Sequence, residues 1–276
     1  MMSVIRRRWI PFFWGWLLVA PGGIHGQPYT LLVEPSYPQD MAAEVYRPLL
    51  DYLRAETGVE FRLKAPSDHL IYWRDLRNNE PVDFVFEYAH FTDYRNRRFG
   101  FVPLVKTGEP VRFVLLVPRE NEGTGLDDLV GRPIATLPAP SLGFLVLRDM
   151  FPDPIARPQI LASLTSWQDG PSLIFSGEAA ATLVPANLAQ ELQNLVEVAH
   201  SRDFPGTALS ASPTVPVELR ERIIAAMLAL HEKAVEDPAV YAVLHELRVT
   251  RFVPASASEY RGWERLLARF HGYQPP

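Results

Sequence analysis

The chain has 276 residues, of which 47% are hydrophobic and 21% charged, the usual composition of a globular protein. It contains no cysteine, so disulfides, thiolate nucleophiles, Cys-ligated zinc and a lipid anchor on a cysteine are excluded. Acidic residues outnumber basic ones by 32 to 27, and this negative net charge disfavours binding to a nucleic-acid backbone.

The first 26 residues have the order of a secretory signal peptide. Arginines at residues 6–8 precede an apolar stretch at residues 9–20, which ends in a Pro-Gly-Gly sequence at residues 21–23. A run of about a dozen residues is shorter than the ~20 that a membrane-spanning helix needs. We therefore predict cleavage before Gln27 and a periplasmic mature chain without membrane insertion; an uncleaved anchor is the alternative. Cleavage leaves 24 basic against 32 acidic residues, a net charge near −8.

The mature chain begins with alternating strand-like and helix-like segments. Residues 41–57 show helical spacing, with Val45, Leu49 and Leu53 on one side and Gly58 just beyond the end. Residues 83–87 include a short apolar run that is typical of a buried strand. Strands are predicted at residues 29–34, 60–64, 83–87, 101–105 and 112–117, and helices at residues 41–57, 68–78 and 89–99.

The alternation restarts after residue 117 and is followed by a helical tail. This order predicts an α/β protein with two lobes, each a mainly parallel sheet flanked by helices. The tail carries an apolar stripe that includes Leu219, Ile223 and Met227 and needs a sheet to cover. Strands are predicted at residues 133–136, 179–184 and 196–200, and helices at residues 125–130, 141–150, 168–175, 185–194, 216–235, 238–247 and 258–270.

The chain is expected to pass between the two lobes twice. Since the first sheet is available to the tail helices, lobe one is predicted to contain residues 27–115 and 203–276. Lobe two is predicted to contain residues 116–202. The connecting segments are expected near residues 114–118 and 200–204, an arrangement that permits hinge bending.

Six short motifs, taken in their order along the chain, resemble those of a known family. The chain resembles the phosphate, phosphite and phosphonate group of ABC-transporter substrate-binding proteins, within the type II periplasmic binding proteins. The likeness spans nearly the whole mature chain. The motifs are PVDFVF at residues 81–86, LDDLVGRPIA at 126–135, PSLGF at 140–144, SGEAAA at 176–181, SPTVP at 212–216 and FVPA at 252–255.

The resemblance implies the type II periplasmic-binding-protein fold, with a small ligand held between two closing lobes. Three positions depart from the family pattern. The hydroxyl-rich turn keeps only Ser141, the expected histidine is Trp167, and the expected aspartate is Ala180. Because a buried oxyanion needs several hydrogen-bond donors, we expect phosphate and simple phosphonates to bind poorly.

Candidate ligand-binding residues follow from the rule that ligands of open α/β sheets lie beyond the carboxyl ends of the strands. That rule selects four segments, at residues 34–37, 87–90, 138–141 and 166–169. Each candidate side chain could instead cap a helix or pack in the core. The candidates are Tyr37, Glu87, Tyr88, His90, Ser141 and Trp167, together with His69 at the start of an earlier helix.

The favoured function is a periplasmic solute-binding protein of an ABC-type uptake system, which takes a small anionic or polar ligand to a permease or a membrane sensor. A monomer is expected. No cofactor is expected, and no metal, because the histidines lack ligand spacing. The chain has no G-x-S-x-G elbow and no glycine-rich phosphate loop, so an enzyme is not favoured. The alternatives are a ligand-sensing module for a signalling partner, or an enzyme that uses a cleft carboxylate such as Glu87.

Overall fold

The computed structural model describes residues 27–275. The predicted signal peptide lies outside the described residues. The first part of the chain alternates strands and helices, as the sequence predicts. Its elements are β1 (Tyr29–Val33), α1 (Gln39–Thr57), β2 (Phe61–Lys64), α2 (His69–Arg77), β3 (Phe84–Glu87), α3 (Ala89–Phe99) and β4 (Val102–Thr107).

Local sequence signals explain where the early helices begin and end. The Asp68 carboxylate caps α2 by accepting hydrogen bonds from the backbone N–H groups of Leu70 and Ile71, at 2.9 and 2.8 Å. Helix α1 ends at Gly58, which adopts a left-handed conformation with φ of 69°. Helix α3 ends in the same way at Gly100, with φ of 70°.

The second half contains the next eight strands and helices. The segment predicted as a helix at residues 125–130 forms only a 3₁₀ turn, Asp127–Leu129. The helix predicted at residues 185–194 ends at Ala189, and β7 was not predicted. The elements are β5 (Phe113–Pro118), β6 (Pro133–Ala135), α4 (Leu142–Met150), β7 (Gln159–Leu161), α5 (Asp169–Phe175), β8 (Ala181–Pro185), α6 (Ala186–Ala189) and β9 (Leu195–His200).

The tail is helical but also supplies two short strands to the first sheet. The helix predicted at residues 258–270 is interrupted at Gly262, whose φ of 95° is incompatible with a continuous right-handed helix. A 3₁₀ segment, Trp263–Leu267, follows it. The tail elements are β10 (Ala208–Ala211), α7 (Val217–Lys233), α8 (Pro238–Leu247), β11 (Phe252–Pro254) and α9 (Ala257–Tyr260).

The strands form two mixed sheets flanked by helices. The first has the order β11-β4-β10-β3-β1-β2, and the second has the order β7-β6-β8-β5-β9. Pairing is parallel within the strand–helix–strand units, where β1 pairs with β2 and β3, and β6 with β7 and β8. The other neighbouring strands are antiparallel. The carboxyl ends of β1 and β3 therefore meet at one edge of the first sheet.

The chain passes between the sheets through residues 108–112 and 201–207. Because β4 belongs to the first sheet and β5 to the second, the first passage comes a few residues before the expected position. Val111 and Phe204 pair their backbones with N···O distances of 3.0 and 2.8 Å. The Arg112 guanidinium makes two hydrogen bonds to Asp203, at 2.7 and 3.1 Å. We propose these paired segments as the boundary and hinge between the lobes.

Each sheet has its own hydrophobic core, and a third cluster joins the two lobes. The first core includes Leu31 and Phe84, and the second includes Ile134 and Leu183. The third cluster lies around α2 and α3, and Leu145 of α4 packs into it. The helix that carries the predicted Ser141 cap therefore rests against lobe one. Among residues 27–275, none of the helices is long and apolar enough to cross a membrane.

Candidate functional site

A cleft of about 150 Å³ lies where the carboxyl ends of β1 and β3 face the second sheet. Five aromatic residues line it: Tyr37, Tyr46, Phe86, Tyr88 and Trp167. An apolar cavity of about this volume holds benzene, so the space suits a ligand of similar size. Segments from both sheets contribute to the wall, and a ligand here can touch both lobes at once.

Glu34 is one of two buried carboxylates at the cleft, and Glu87 is the other. Glu34 follows β1 and is 5% exposed. One carboxylate oxygen accepts a hydrogen bond from the Tyr88 backbone N–H at 3.1 Å. The other lies 3.3 Å from Nε2 of His69, which must carry the proton, since a carboxylate can only accept. His69 therefore orients Glu34 and does not itself line the cleft. The sequence rule selects the segment at residues 34–37, but not this side chain.

The three tyrosines around Glu34 keep their phenol protons. Burial raises the pKa of Tyr46 well above its usual value, and the nearby Tyr37, Tyr88 and Glu34 add to the effect. Burial and then Glu34 raise the pKa of Tyr88. Burial also raises the pKa of Tyr37, against the lowering effect of Arg248. The cleft thus presents neutral aromatic rings and hydroxyls beside Glu34, and Glu87 and Glu109 also line it.

Trp167 covers the first turn of α4. A Cβ atom placed on Gly143 would lie 2.5 Å from the ring of Trp167, so the indole is pressed against this helix terminus. Ser141 is fully buried; its hydroxyl donates to the Leu137 carbonyl at 3.1 Å and accepts from the Phe144 N–H at 3.2 Å. Ser141 is therefore an N-cap whose hydroxyl is already engaged. The Trp167 ring covers the backbone N–H groups of this turn, while the indole N–H and the nearby Thr136 hydroxyl are buried without a hydrogen-bond partner.

Glu87 and His90 are held in internal contacts. Glu87 lies at the cleft, but its carboxylate accepts from Arg95 at 3.0 Å and from the Tyr72 hydroxyl. His90 is fully buried, and its Nε2 donates to the carbonyl of Pro140 in lobe two at 3.1 Å.

Of the seven predicted residues, Tyr37, Glu87, Tyr88 and Trp167 lie at the cleft wall, while His69, His90 and Ser141 do not. Their roles as ligand contacts stay predictions.

The burial of His90 makes the stability of the fold depend on pH. Burial lowers the pKa of His90 to about 4, although Glu34 and the bond to Pro140 partly oppose this. The unfolded chain, with an ordinary histidine pKa of about 6.5, therefore binds more protons as the pH falls from 7 to 4. By linkage the folded state should lose about 3 kcal/mol over this interval. His90→Gln keeps a donor for Pro140 but cannot titrate.

Urea unfolding at pH 7 and pH 4 measures this effect. The wild-type protein should lose about 3 kcal/mol more than His90→Gln between the two pH values. The difference should appear below pH 6.5 and vanish above it. Equal losses in both proteins would contradict the assignment of this pH dependence to His90.

Arg248 joins the two lobes at the cleft. It follows α8 in a left-handed conformation, with φ of 52°. Its guanidinium lies 2.8 and 3.4 Å from the two carboxylate oxygens of Glu191, and it donates to the Tyr37 hydroxyl at 3.2 Å. Its carbonyl accepts from the Asn187 side chain at 3.1 Å. The sequence analysis did not select Arg248. Its only local signal is that a residue other than glycine occupies the C-cap of this helix.

Within residues 27–275, no group of three or more potential metal ligands comes together. The structure has two sheets with flanking helices, paired connecting segments and a cleft between the sheets. These features define a two-lobed ligand-binding protein. Residues 31–260 match the family model described as "ABC transporter, phosphonate, periplasmic substrate-binding protein". The chain therefore belongs to this family of periplasmic substrate-binding proteins.

Solved structures support the same fold. PhnD1 from Prochlorococcus marinus, in complex with methylphosphonate, is 13% identical with a TM-score of 0.71, over 89% of this chain and 98% of that one. A binding protein component of an ABC phosphonate transporter from Pseudomonas aeruginosa is 15% identical with a TM-score of 0.70, over 87% and 86%. XAC2383 from Xanthomonas citri, bound to ATP, is 16% identical with a TM-score of 0.63, over 88% and 96%. A search of the curated proteins finds no match to this chain.

Proposed function

We propose that this protein is the periplasmic solute-binding component of an ABC-type uptake system and holds one small polar ligand in the cleft between its lobes. The observation that carries the proposal is the cleft itself. Its wall combines residues of lobe one, such as Glu34 and Tyr88, with Trp167 and Asn187 of lobe two. A ligand that contacts both walls favours the form in which the lobes meet, and so shifts the population toward it.

Arg248 supports the same mechanism, because it links the two lobes directly. Its contacts to Glu191 and Asn187 exist only while the lobes are close together. The paired segments at residues 108–112 and 201–207 are short, and bending there would separate these partners. Arg248 therefore adds to the stability of the ligand-bearing form without contributing to the lobe cores.

The geometry disfavours the competing hypothesis of an enzyme based on Glu87. The Glu87 carboxylate is fully buried and accepts hydrogen bonds from Arg95 and Tyr72. A general base must be able to reach a proton of the substrate. Glu87 lies at the cleft wall, but its complete burial and its hydrogen bond from Arg95 disfavour that role.

Native mass spectrometry of the protein taken from a periplasmic extract tests the proposal. We expect a polypeptide that begins at Gln27 and carries one additional small molecule, which is lost under denaturing conditions. Arg248→Ala should retain less of that molecule than the wild type. Arg54→Ala, which removes a surface pair with Asp51, is the control and should retain it fully.

Two outcomes would contradict the proposal. A full-length, membrane-retained species would exclude export with cleavage. A mature protein that carries no small molecule, and gains none from a pool of periplasmic metabolites, would exclude a solute-binding role.

A further inference from the structure

We propose that the cleft selects a small organic cation, an amine or a quaternary ammonium of about six to ten non-hydrogen atoms. The inference rests on the proposed function and specifies the ligand. It follows from the charges at the cleft, from the aromatic rings around Glu34 and from the covered turn at Ser141.

The arginines at the cleft are already neutralised. Arg112 is paired with Asp203 through two hydrogen bonds, and Arg248 is paired with Glu191 in the same way. An anionic ligand would have to compete with these carboxylates. Neither arginine is therefore available as the counter-ion of an anion without breaking an existing pair.

Glu34, unlike these two arginines, is not paired with a side chain that is always charged. It is 5% exposed, and within the described part of the chain no lysine or arginine lies within 4 Å of it. Its hydrogen-bond partners are the Tyr88 backbone N–H and the His69 imidazole. A carboxylate has about four acceptor positions, so two remain for a ligand. A buried carboxylate is costly without a compensating cation, and a bound ammonium group would supply it.

The rings around Glu34 suit such a group. Tyr37, Tyr46, Tyr88 and Trp167 all line the same cleft. Phe113 packs behind two of them, 5.9 Å from the ring of Tyr88 and 5.4 Å from that of Trp167, and so fixes their positions. Aromatic faces attract cations, and this attraction strengthens where water is excluded. The same rings offer no charge to an anion.

The test compares ligands that match in shape and differ in charge. Purified, refolded protein is titrated calorimetrically with choline, with its neutral carbon isostere 3,3-dimethylbutan-1-ol, and with methylphosphonate. Choline should bind about 30-fold more tightly than the neutral isostere, the ratio expected for a desolvated cation–π site. Methylphosphonate should bind more weakly than choline.

Two variants connect the effect to Glu34. Glu34→Gln keeps the size of the side chain and removes its charge, and it should weaken choline binding roughly 10- to 100-fold. Glu44→Gln removes an exposed carboxylate of α1, which also carries Tyr46, and should bind choline as the wild type does. Circular dichroism checks that both variants are folded.

The result can overturn the inference and leave the proposed function intact. If the isostere or methylphosphonate binds as tightly as choline, or if choline does not bind, the ligand is not an organic cation. An anionic or neutral molecule found by native mass spectrometry would overturn the inference in the same way while supporting a solute-binding role. Equal choline affinity in Glu34→Gln and Glu44→Gln would remove Glu34 from the site.

Discussion

Replacing Arg95 with methionine is expected to lower the free energy of unfolding at pH 7 by about 3–5 kcal/mol, the usual cost of breaking one side of a buried ion pair. Arg95 is 1% exposed and its partner Glu87 is completely buried. The guanidinium also lies over two rings, 5.7 Å from the centre of Tyr72 and 5.4 Å from that of Phe101. The variant leaves a buried carboxylate whose remaining hydrogen bond comes from the Tyr72 hydroxyl.

The loss should also depend on pH. Burial raises the pKa of Glu87 even beside Arg95. Without the arginine the pKa should rise further, so the folded state would hold a proton that the unfolded chain releases. A carboxyl with a raised pKa in the folded state destabilises the fold as the pH rises above the unfolded value of about 4.3. The deficit of the variant should therefore be larger at pH 8 than at pH 5.

Guanidinium unfolding followed by circular dichroism measures both effects. Arg112→Met, which breaks an exposed pair with Asp203, is the matched control and should have little effect. Replacing both Arg95 and Glu87 with methionine should recover most of the loss, because no unpaired charge is then buried. A single Arg95 variant as stable as the Arg112 control would contradict a structural role for this pair.

The wild-type protein should bind phosphate, phosphite and aminoethylphosphonate roughly 10²–10⁴-fold more weakly than a site with two more charge-assisted donors, each contributing about 1.5–3 kcal/mol. The charge-assisted donors are missing because the Ser141 hydroxyl caps its own helix, the Trp167 ring covers Gly143, and the indole N–H is uncharged. Trp167→His removes the bulk of the indole from the turn and replaces its uncharged N–H with an imidazole that can be protonated beside an anion. This variant should bind phosphate at least about tenfold more tightly than the wild type.

Calorimetric titration with the three anions decides this prediction. Trp263→His is the control, since Trp263 packs on Phe204, with ring centres 4.7 Å apart, instead of on the first turn of α4. Its phosphate affinity should equal that of the wild type. Submicromolar binding of any of the three anions by the wild-type protein would show that Trp167 does not occupy the oxyanion position.

Local sequence signals were sufficient for most of the secondary structure and for the fold class. The predicted bounds of α3 and α8 coincide with the observed ones, since Gly100 ends the first helix and the Asp237-Pro238 pair begins the second. Such signals act within a few residues, so they can be read without the tertiary structure. The strands β7, β10 and β11 have only three or four residues each, and their pairing with distant strands defines them.

The candidate site could be predicted only in part. The rule that ligands lie beyond strand ends placed Tyr37, Glu87, Tyr88 and Trp167 at the cleft wall, because strand order in a sheet determines which ends meet. The rule gives no information on where a side chain points. The Glu87 carboxylate turns to Arg95, and the indole of Trp167 covers the helix turn that Ser141 caps.

Sequence patterns were enough to predict the α/β class with two lobes, most of the order of the elements and the exclusion of cysteine chemistry. The tertiary structure alone decided that Glu34, Tyr46 and Arg248 share one cleft, although Arg248 lies about 200 residues after the other two. Hydrophobic periodicity identifies the side of a helix that is buried, but not the residues that it meets. Contacts between distant segments depend on how whole layers pack, and these contacts set the charge and shape of the cleft.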